Sequence, residues 1–542
     1  MRKLGWLAVL AGSVLLLVGN PTSIEMVFSS PRQLDAVPGI TVYPGAPCTP
    51  LLLWQADGDS AGDSFGQSVA GDGDWDGDGG SDILVGSPYG HPESEPAGCA
   101  SGYINYLTEE WHEYGNFETE FGRSIAFMGD IDNDAAGEAV IGAPFWSGAG
   151  YDSNGAVSVF GRATGLKFSW LGSGSYAEFG YSVAGISDVD GDLYGDILVG
   201  APIGDGAFAP NTGYAQILSP RQNNVVYTFN GTEVDSRFGH AVAYGGAIDD
   251  FPGYDVIIGA PLSHIFGPTA IQPGAVFAYR TDGTLIWRFN GEGDGDMFGF
   301  SVSGTEDYDG DGYNEIIIGA PNANPDGQSY AGAVYVYSGI SHALLYRVEG
   351  VEPYGHFGCA VSGICDVDGD DYDDFVVGAN REAPGGRTDA GAAYVCSGAD
   401  GAFLWKFEGA AAGDLFGTSV SYRVDNAIDN ACEILIGAPG ADPDGRTDAG
   451  SAYLFGCDCN CPWQADYDAN GVLDAIDLNG LIDALFFGGP DPQDQSCPTT
   501  RGDFNNDGAP DALDLNALID HLFFGADGPC DPCDPVQGTC AP

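Results

Sequence analysis

The chain has 542 residues, with 17 Lys and Arg against 78 Asp and Glu, a formal net charge of −61. So acidic a surface repels nucleic acid and anionic membrane and makes both poor partners. Glycine at 85 positions without a Gly-X-Y period excludes collagen and helical bundles, and 44% hydrophobic content excludes disorder, which leaves glycine-punctuated β-structure.

At the N-terminus Met1, Arg2 and Lys3 precede an apolar run over 4–19, a charged region followed by a hydrophobic one. Residues 1–20 are expected to be a secretory signal. An uncleaved anchor is the alternative, because Val18, Gly19 and Asn20 give no clean small-x-small cleavage site. Residues 21–47 read as a linker, no later run is apolar enough to span a bilayer, and the expected location is secreted or cell-surface. In an exported chain 13 cysteines favour disulfides, and the odd count leaves a thiol over in a monomer.

From 48 to 457 the chain repeats itself. A Phe-Gly pair recurs at Phe65, Phe121, Phe179, Phe238, Phe298, Phe357 and Phe416, at steps of 56 to 60 residues. In every copy a second glycine follows the Phe by 21 positions: Gly86, Gly142, Gly200, Gly259, Gly319, Gly378 and Gly437. Each copy reads as four short strands, in the fifth over 298–304, 315–319, 332–337 and 344–348, with turns rich in Gly, Pro, Asn and Asp. A lone four-stranded sheet cannot bury both faces, whereas seven packed radially can, so the expected fold is mainly β, a seven-bladed propeller of four-stranded blades. The seventh copy stops after its third strand, and 51–57 resembles a fourth strand, so the N-terminal segment should complete the last blade.

Between the first and second strands a loop carries acids at alternate positions. The five complete loops are Asp74, Asp76, Asp78, Gly80 and Asp82; Asp130, Asp132, Asp134, Ala136 and Glu138; Asp188, Asp190, Asp192, Tyr194 and Asp196; Asp307, Asp309, Asp311, Tyr313 and Glu315; and Asp366, Asp368, Asp370, Tyr372 and Asp374. Alternate spacing in a tight loop converges hard oxygen ligands, with the fourth position contributing its carbonyl, and such a set selects Ca²⁺ over softer metals. Copy four has Ala247, Asp249, Phe251, Gly253 and Asp255 in this frame and is expected to hold no metal. Copy seven keeps Asp425, Asp429 and Glu433 but has Ala427, and its occupancy stays open. About five ions are expected in the ring.

These motifs resemble the FG-GAP repeat of integrin alpha subunits, whose seven copies form a propeller with calcium in Asp-rich hairpin loops; the resemblance covers 51–457. The glycine that the family usually has at the sixth loop position is present at Gly79 and Gly312 but is Ala135, Leu193 and Asp371 elsewhere. No leg, membrane helix or cytoplasmic tail follows in this sequence, so the resemblance implies the module and not a receptor subunit.

Beyond Cys457 the pattern changes. Asp466, Asp468, Asn470, Val472, Asp474 and Asp477 form one loop, and Asp503, Asn505, Asp507, Ala509, Asp511 and Asp514 form another, each running into an amphipathic helix over 478–487 and 515–524. The last acid lies on the first helical turn, where it completes a coordination sphere and complements the helix N-terminus. The tandem over 458–542 resembles a dockerin domain, which implies two more calcium ions and a cohesin-like partner. Cys457, Cys459, Cys461, Cys497, Cys530, Cys533 and Cys540 around it read as disulfide staples.

The sequence offers no nucleophile elbow, phosphate loop or metalloprotease histidine spacing. A binding or adhesion module with an extracellular protein or glycan ligand on the long loops between second and third strands is therefore favoured. A secreted carbohydrate-active enzyme, lyase or hydrolase, is the alternative. Trp54, Trp170, Trp287 and Trp405 recur near the fourth strands and read as blade packing.

Overall fold

The computed structural model describes residues 39–456 apart from 45, 47–49, 92–96, 105–107, 117, 163–164, 208, 252, 266–270, 306, 309, 371 and 426–430. It also describes one separate pair of strands, Val9–Leu10 against Ser13–Val14. The two loop-helix units over 466–477 and 503–514 and the seven cysteines from Cys457 onward lie outside the described residues.

Seven antiparallel sheets follow one another, each built from one repeat, and they are numbered here as blades 1 to 7 by their Phe-Gly pairs. Blade 2 consists of Ser124–Met128, Glu138–Ala143, Ala156–Gly161 and Gly165–Leu171. Blade 5 consists of Ser301–Gly304, Glu315–Ala320, Ala333–Ser338 and Leu344–Glu349, within three residues of the boundaries expected from alternation and turn residues. Blade 7 is made of Ser419–Asp425, Ala431–Ala438 and Ser451–Gly456, and its fourth strand is Leu51–Asp57 from the other end of the ring. The expected closure is present.

Burial differs by strand as the layering demands. Second strands such as Glu138–Ala143 and Asp196–Ala201 are buried at every position, because neighbouring blades cover both their faces. Fourth strands such as Gly165–Leu171 alternate between half-buried and exposed, as outer strands should.

The constant spacing has a mechanical cause. Each glycine of a Phe-Gly pair has φ between +84° and +89°, a region that disfavours side chains, and its N–H donates to the carbonyl of the second glycine of its own copy, as from Gly122 to Gly142 at 3.0 Å. That second glycine is where the next blade's backbone arrives: a Cβ on Gly142 would lie 2.0 Å from the Gly180 carbonyl, and one on Gly437 would lie 1.9 Å from that of Gly66. Serine hydroxyls stitch the same seam, Ser124 to the Gly180 carbonyl at 2.9 Å and Ser419 to that of Gly66 at 2.8 Å. The latter bond joins blade 7 to blade 1.

Two features escaped the sequence. Gly39–Val42, inside the stretch read as a linker, adds a fifth strand to the outer edge of blade 6 by pairing with Phe403–Glu408. The linker reading is corrected for these four residues; an edge strand offers unpaired backbone groups that a short segment can satisfy without any pattern of its own. A disulfide joins Cys365, just before the acidic loop of blade 6, to Cys432, beside Glu433 of blade 7, while Cys359 and Cys396 are free thiols.

Among the four tryptophans, Trp405 is buried, whereas Trp287 is 48% exposed and stacks on His342. The register also corrects their alignment: Phe168, not Trp170, is the counterpart of Trp54, Trp287 and Trp405, and Trp111 belongs to the set. No helix among the described residues is long and apolar enough to cross a membrane.

Candidate metal centre

The acidic loops all cross from first to second strand and so lie on one rim of their blades. Their shape comes from the first acid. In blade 3 Asp188 accepts the N–H of Gly191 at 2.7 Å on one oxygen and that of Leu193 at 2.8 Å on the other; Asp74, Asp130 and Asp307 repeat this pair of bonds in blades 1, 2 and 5. Asp366 accepts the equivalent Gly369 N–H at 2.7 Å. The loop therefore closes on a short-range side-chain turn that Asp favours.

The third acid accepts the N–H two residues later, from Gly80, Ala136, Tyr194, Tyr313 and Tyr372, to Asp78, Asp134, Asp192, Asp311 and Asp370. The last acid reaches back across the loop. Asp82 accepts from Trp75, Glu138 from Ile131, Asp196 from Val189, Glu315 from Tyr308 and Asp374 from Val367. Sixth-position residues Ala135 and Leu193 have φ of +70° and +76°, close to Gly79 at +94° and Gly312 at +90°, so the loop keeps its shape without glycine.

Carboxylate oxygens within 4.8 Å of one another are contributed by Asp74, Asp76 and Asp78; by Asp130, Asp132, Asp134 and Glu138; by Asp188, Asp190 and Asp192; by Asp307, Asp311 and Glu315; and by Asp366, Asp368 and Asp374. All five loops read from the sequence thus converge. Asp82, Asp196 and Asp370 stand outside these tight groups, and Asp309 lies outside the described residues.

Burial of these acids strains their ionised forms. It pushes Asp82 and Asp196 up to about 7 and Asp374 to about 8, with the neighbouring loop carboxylates adding to the rise. In blade 3 the buried oxygens Asp190 Oδ2 and Asp196 Oδ1 have no hydrogen-bond partner. Buried carboxylate oxygens left without donors need a countercharge, and a hard dication supplies it to several oxygens at once, so the donor set suits Ca²⁺.

Three loops have a different balance. In blade 4 Arg280 holds Asp249 at 2.7 Å and lies over the Phe251 ring at 4.2 Å. In blade 7 the buried Arg423 pairs with Glu433 at 2.8 Å; the side chain of Asp425 and residues Ala427 and Asp429 lie outside the described residues. In blade 2 the ammonium of Lys167 lies 2.7 Å from Glu138 and also bonds Asp132. Sequence reasoning missed all three cations, because each comes from a different strand.

Residues 298–337, 357–396 and 408–455 match the FG-GAP repeat, and residues 464–523 match the dockerin type I domain. Among curated proteins, integrin alpha-8 of Gallus gallus is 32% identical over 215 residues, covering 37% of this chain and 20% of the relative. Integrin alpha-8 of Homo sapiens is 28% identical over 271 residues, covering 45% and 25%, and integrin alpha-IIb of Homo sapiens is 33% identical over 223 residues, covering 38% and 20%. The chain thus spans a fifth to a quarter of the length of these relatives. It carries FG-GAP repeats in a seven-bladed ring and a dockerin domain, and both likenesses imply calcium binding in general terms.

Proposed function

We propose that this protein is an exported binding or adhesion module, a calcium-stabilised propeller tethered by its dockerin domain to a cohesin-type partner. The reading is supported most by the aromatics exposed on the rim away from the acidic loops. Opposite the acidic loops, the connections between second and third strands and between blades carry exposed aromatics: Tyr151, Tyr176, Tyr330 and Tyr354, of which Tyr176 is 61% and Tyr354 59% exposed. Tyr330 lies 5.9 Å from the Tyr354 ring and stacks on His356 at 6.2 Å, which makes a small platform across the junction of blades 5 and 6. Exposed tyrosines on loops of a rigid scaffold suit an extracellular protein or a glycan, since they add contact area at low entropic cost.

Calcium in the loops over 466–477 and 503–514 would order the helices that meet the cohesin-type partner, and calcium in the propeller would fix the opposite rim. The test is an array of glycans and extracellular proteins probed with the full chain in calcium. A ligand lost at least tenfold on Tyr330→Ala/Tyr354→Ala supports the proposal. Release of reducing ends or unsaturated products from a polysaccharide, abolished by a rim substitution, overturns it in favour of a carbohydrate-active enzyme.

A further inference from the structure

The fourth strand of every blade contains a β-bulge at one register, where two of its residues face one residue of the third strand. The extra residue directly precedes the conserved aromatic position of that strand. It is aliphatic in five blades: Val226, Ile286, Leu345, Leu404 and Leu53 in blades 3 to 7. In blade 7 this residue stands beside the end of the acidic loop, for a Cβ added to Gly456 would meet Leu53 at 2.7 Å and Glu433 at 3.2 Å. In blade 2 the bulge residue is Lys167.

At that register the lysine directs its charge into the acidic loop. Its side chain is only 8% exposed, and its ammonium sits on Asp132 and Glu138, two of the four acids whose oxygens converge in this loop. From this geometry we propose that Lys167 is a built-in cation that takes the place of calcium in blade 2. The ring then holds four calcium ions, in blades 1, 3, 5 and 6, and not the five that the acidic motif alone suggests.

The chemistry supports exclusion over sharing. Ca²⁺ requires six to eight oxygens at roughly 2.3–2.6 Å. Here an ammonium occupies the oxygens of the second and last acids, and a dication added to the same group would face a positive charge packed against it. The bulge fixes the lysine's backbone and its side chain is only 8% exposed, so leaving the two carboxylates would require its stem to repack. Blades 4 and 7 use the same principle with arginine: Arg280 neutralises Asp249, and Arg423 neutralises Glu433. Blades 2, 4 and 7 thus each set a basic side chain of the protein against their loop acids.

This assignment rests on the reading that the convergent loops take calcium, and both are tested by counting ions bound to the full chain by equilibrium dialysis and elemental analysis at millimolar calcium. Asp192→Ala in blade 3 is expected to lose one ion, and the equivalent Asp134→Ala in blade 2 to lose none. Lys167→Leu, which installs the residue type found in blades 3 to 7, is expected to gain one. Loss of an ion by Asp134→Ala, or no gain by a folded Lys167→Leu, overturns the lysine assignment alone. An unchanged count in Asp192→Ala overturns the calcium reading and the assignment with it. Should Lys167→Leu fail to fold by circular dichroism, the Asp134→Ala count still decides.

Discussion

The acidic loops of blades 3 and 4 occupy the same place in their repeats and solve the same electrostatic problem in opposite ways. In blade 3 Asp188, Asp190 and Asp192 converge, and two buried oxygens, one of Asp190 and one of Asp196, have no donor. In blade 4 the acids at the first and third positions have become Ala247 and Phe251, and the surviving Asp249 is held by Arg280. Both last acids, Asp196 and Asp255, are pushed up to about 7, chiefly by burial. The difference teaches that the hairpin's geometry belongs to the repeat, while the source of its countercharge varies from blade to blade.

The largest effect that sharpens this contrast is removal of calcium. Each saturated site contributes about 3 kcal/mol when calcium exceeds its dissociation constant a hundredfold, so EDTA should lower the melting temperature by on the order of 10 °C. Limited proteolysis should then cut at the loops of blades 1, 3, 5 and 6 before that of blade 4; cutting in blade 4 first would break the distinction.

The covalently supplied cations should matter whether or not calcium is present. Arg423 and Glu433 form a pair with side chains 1% and 4% exposed, and removing one partner of such a pair costs about 3–5 kcal/mol. Arg423→Met should therefore destabilise the fold equally in calcium and in EDTA, as read by urea denaturation. Placing a lysine at the bulge of blade 5, Leu345→Lys, should cost one bound ion and reduce the stabilisation by calcium by about 3 kcal/mol at saturation, the worth of one site.

A smaller effect concerns pH. Asp82, Asp196 and Asp374 have folded pKa values of about 7, 7 and 8 against a reference of 3.8. Raised values mean that their contribution to the calcium-free fold is full below the reference value and is lost as pH rises through 7 to 8. Without calcium the melting temperature should fall from pH 5 to pH 8. With calcium, which binds the ionised forms, it should not, so the gain from calcium widens with pH. Least of all, Tyr330→Ala/Tyr354→Ala on the opposite rim should change stability by no more than about 0.5 kcal/mol while reducing ligand binding.

Much of the fold was legible because it is written seven times. The Phe-Gly pair and the second glycine mark the seam at which one blade's backbone meets the next, and a position where no side chain fits leaves a clear trace in sequence. The loops were legible for a similar reason, since the same alternation of acids recurs in one register in five copies. What stayed hidden depends on partners from distant strands. Lys167 lies 29 residues from Glu138, and its meaning appears only when the register shows which residue is the bulge. Cys365 and Cys432 are 67 residues apart in different blades, and Gly39–Val42 pairs with a strand more than 350 residues later. None of these carries a local pattern.

The most direct measurement is a crystallographic anomalous-difference map recorded at a wavelength where calcium scatters anomalously. Peaks are expected among the carboxylates of blades 1, 3, 5 and 6, with none beside Lys167, Arg280 or Arg423. A map without peaks in those four loops, from crystals grown in millimolar calcium, would contradict the claim that the acidic hairpins are organised around a bound dication.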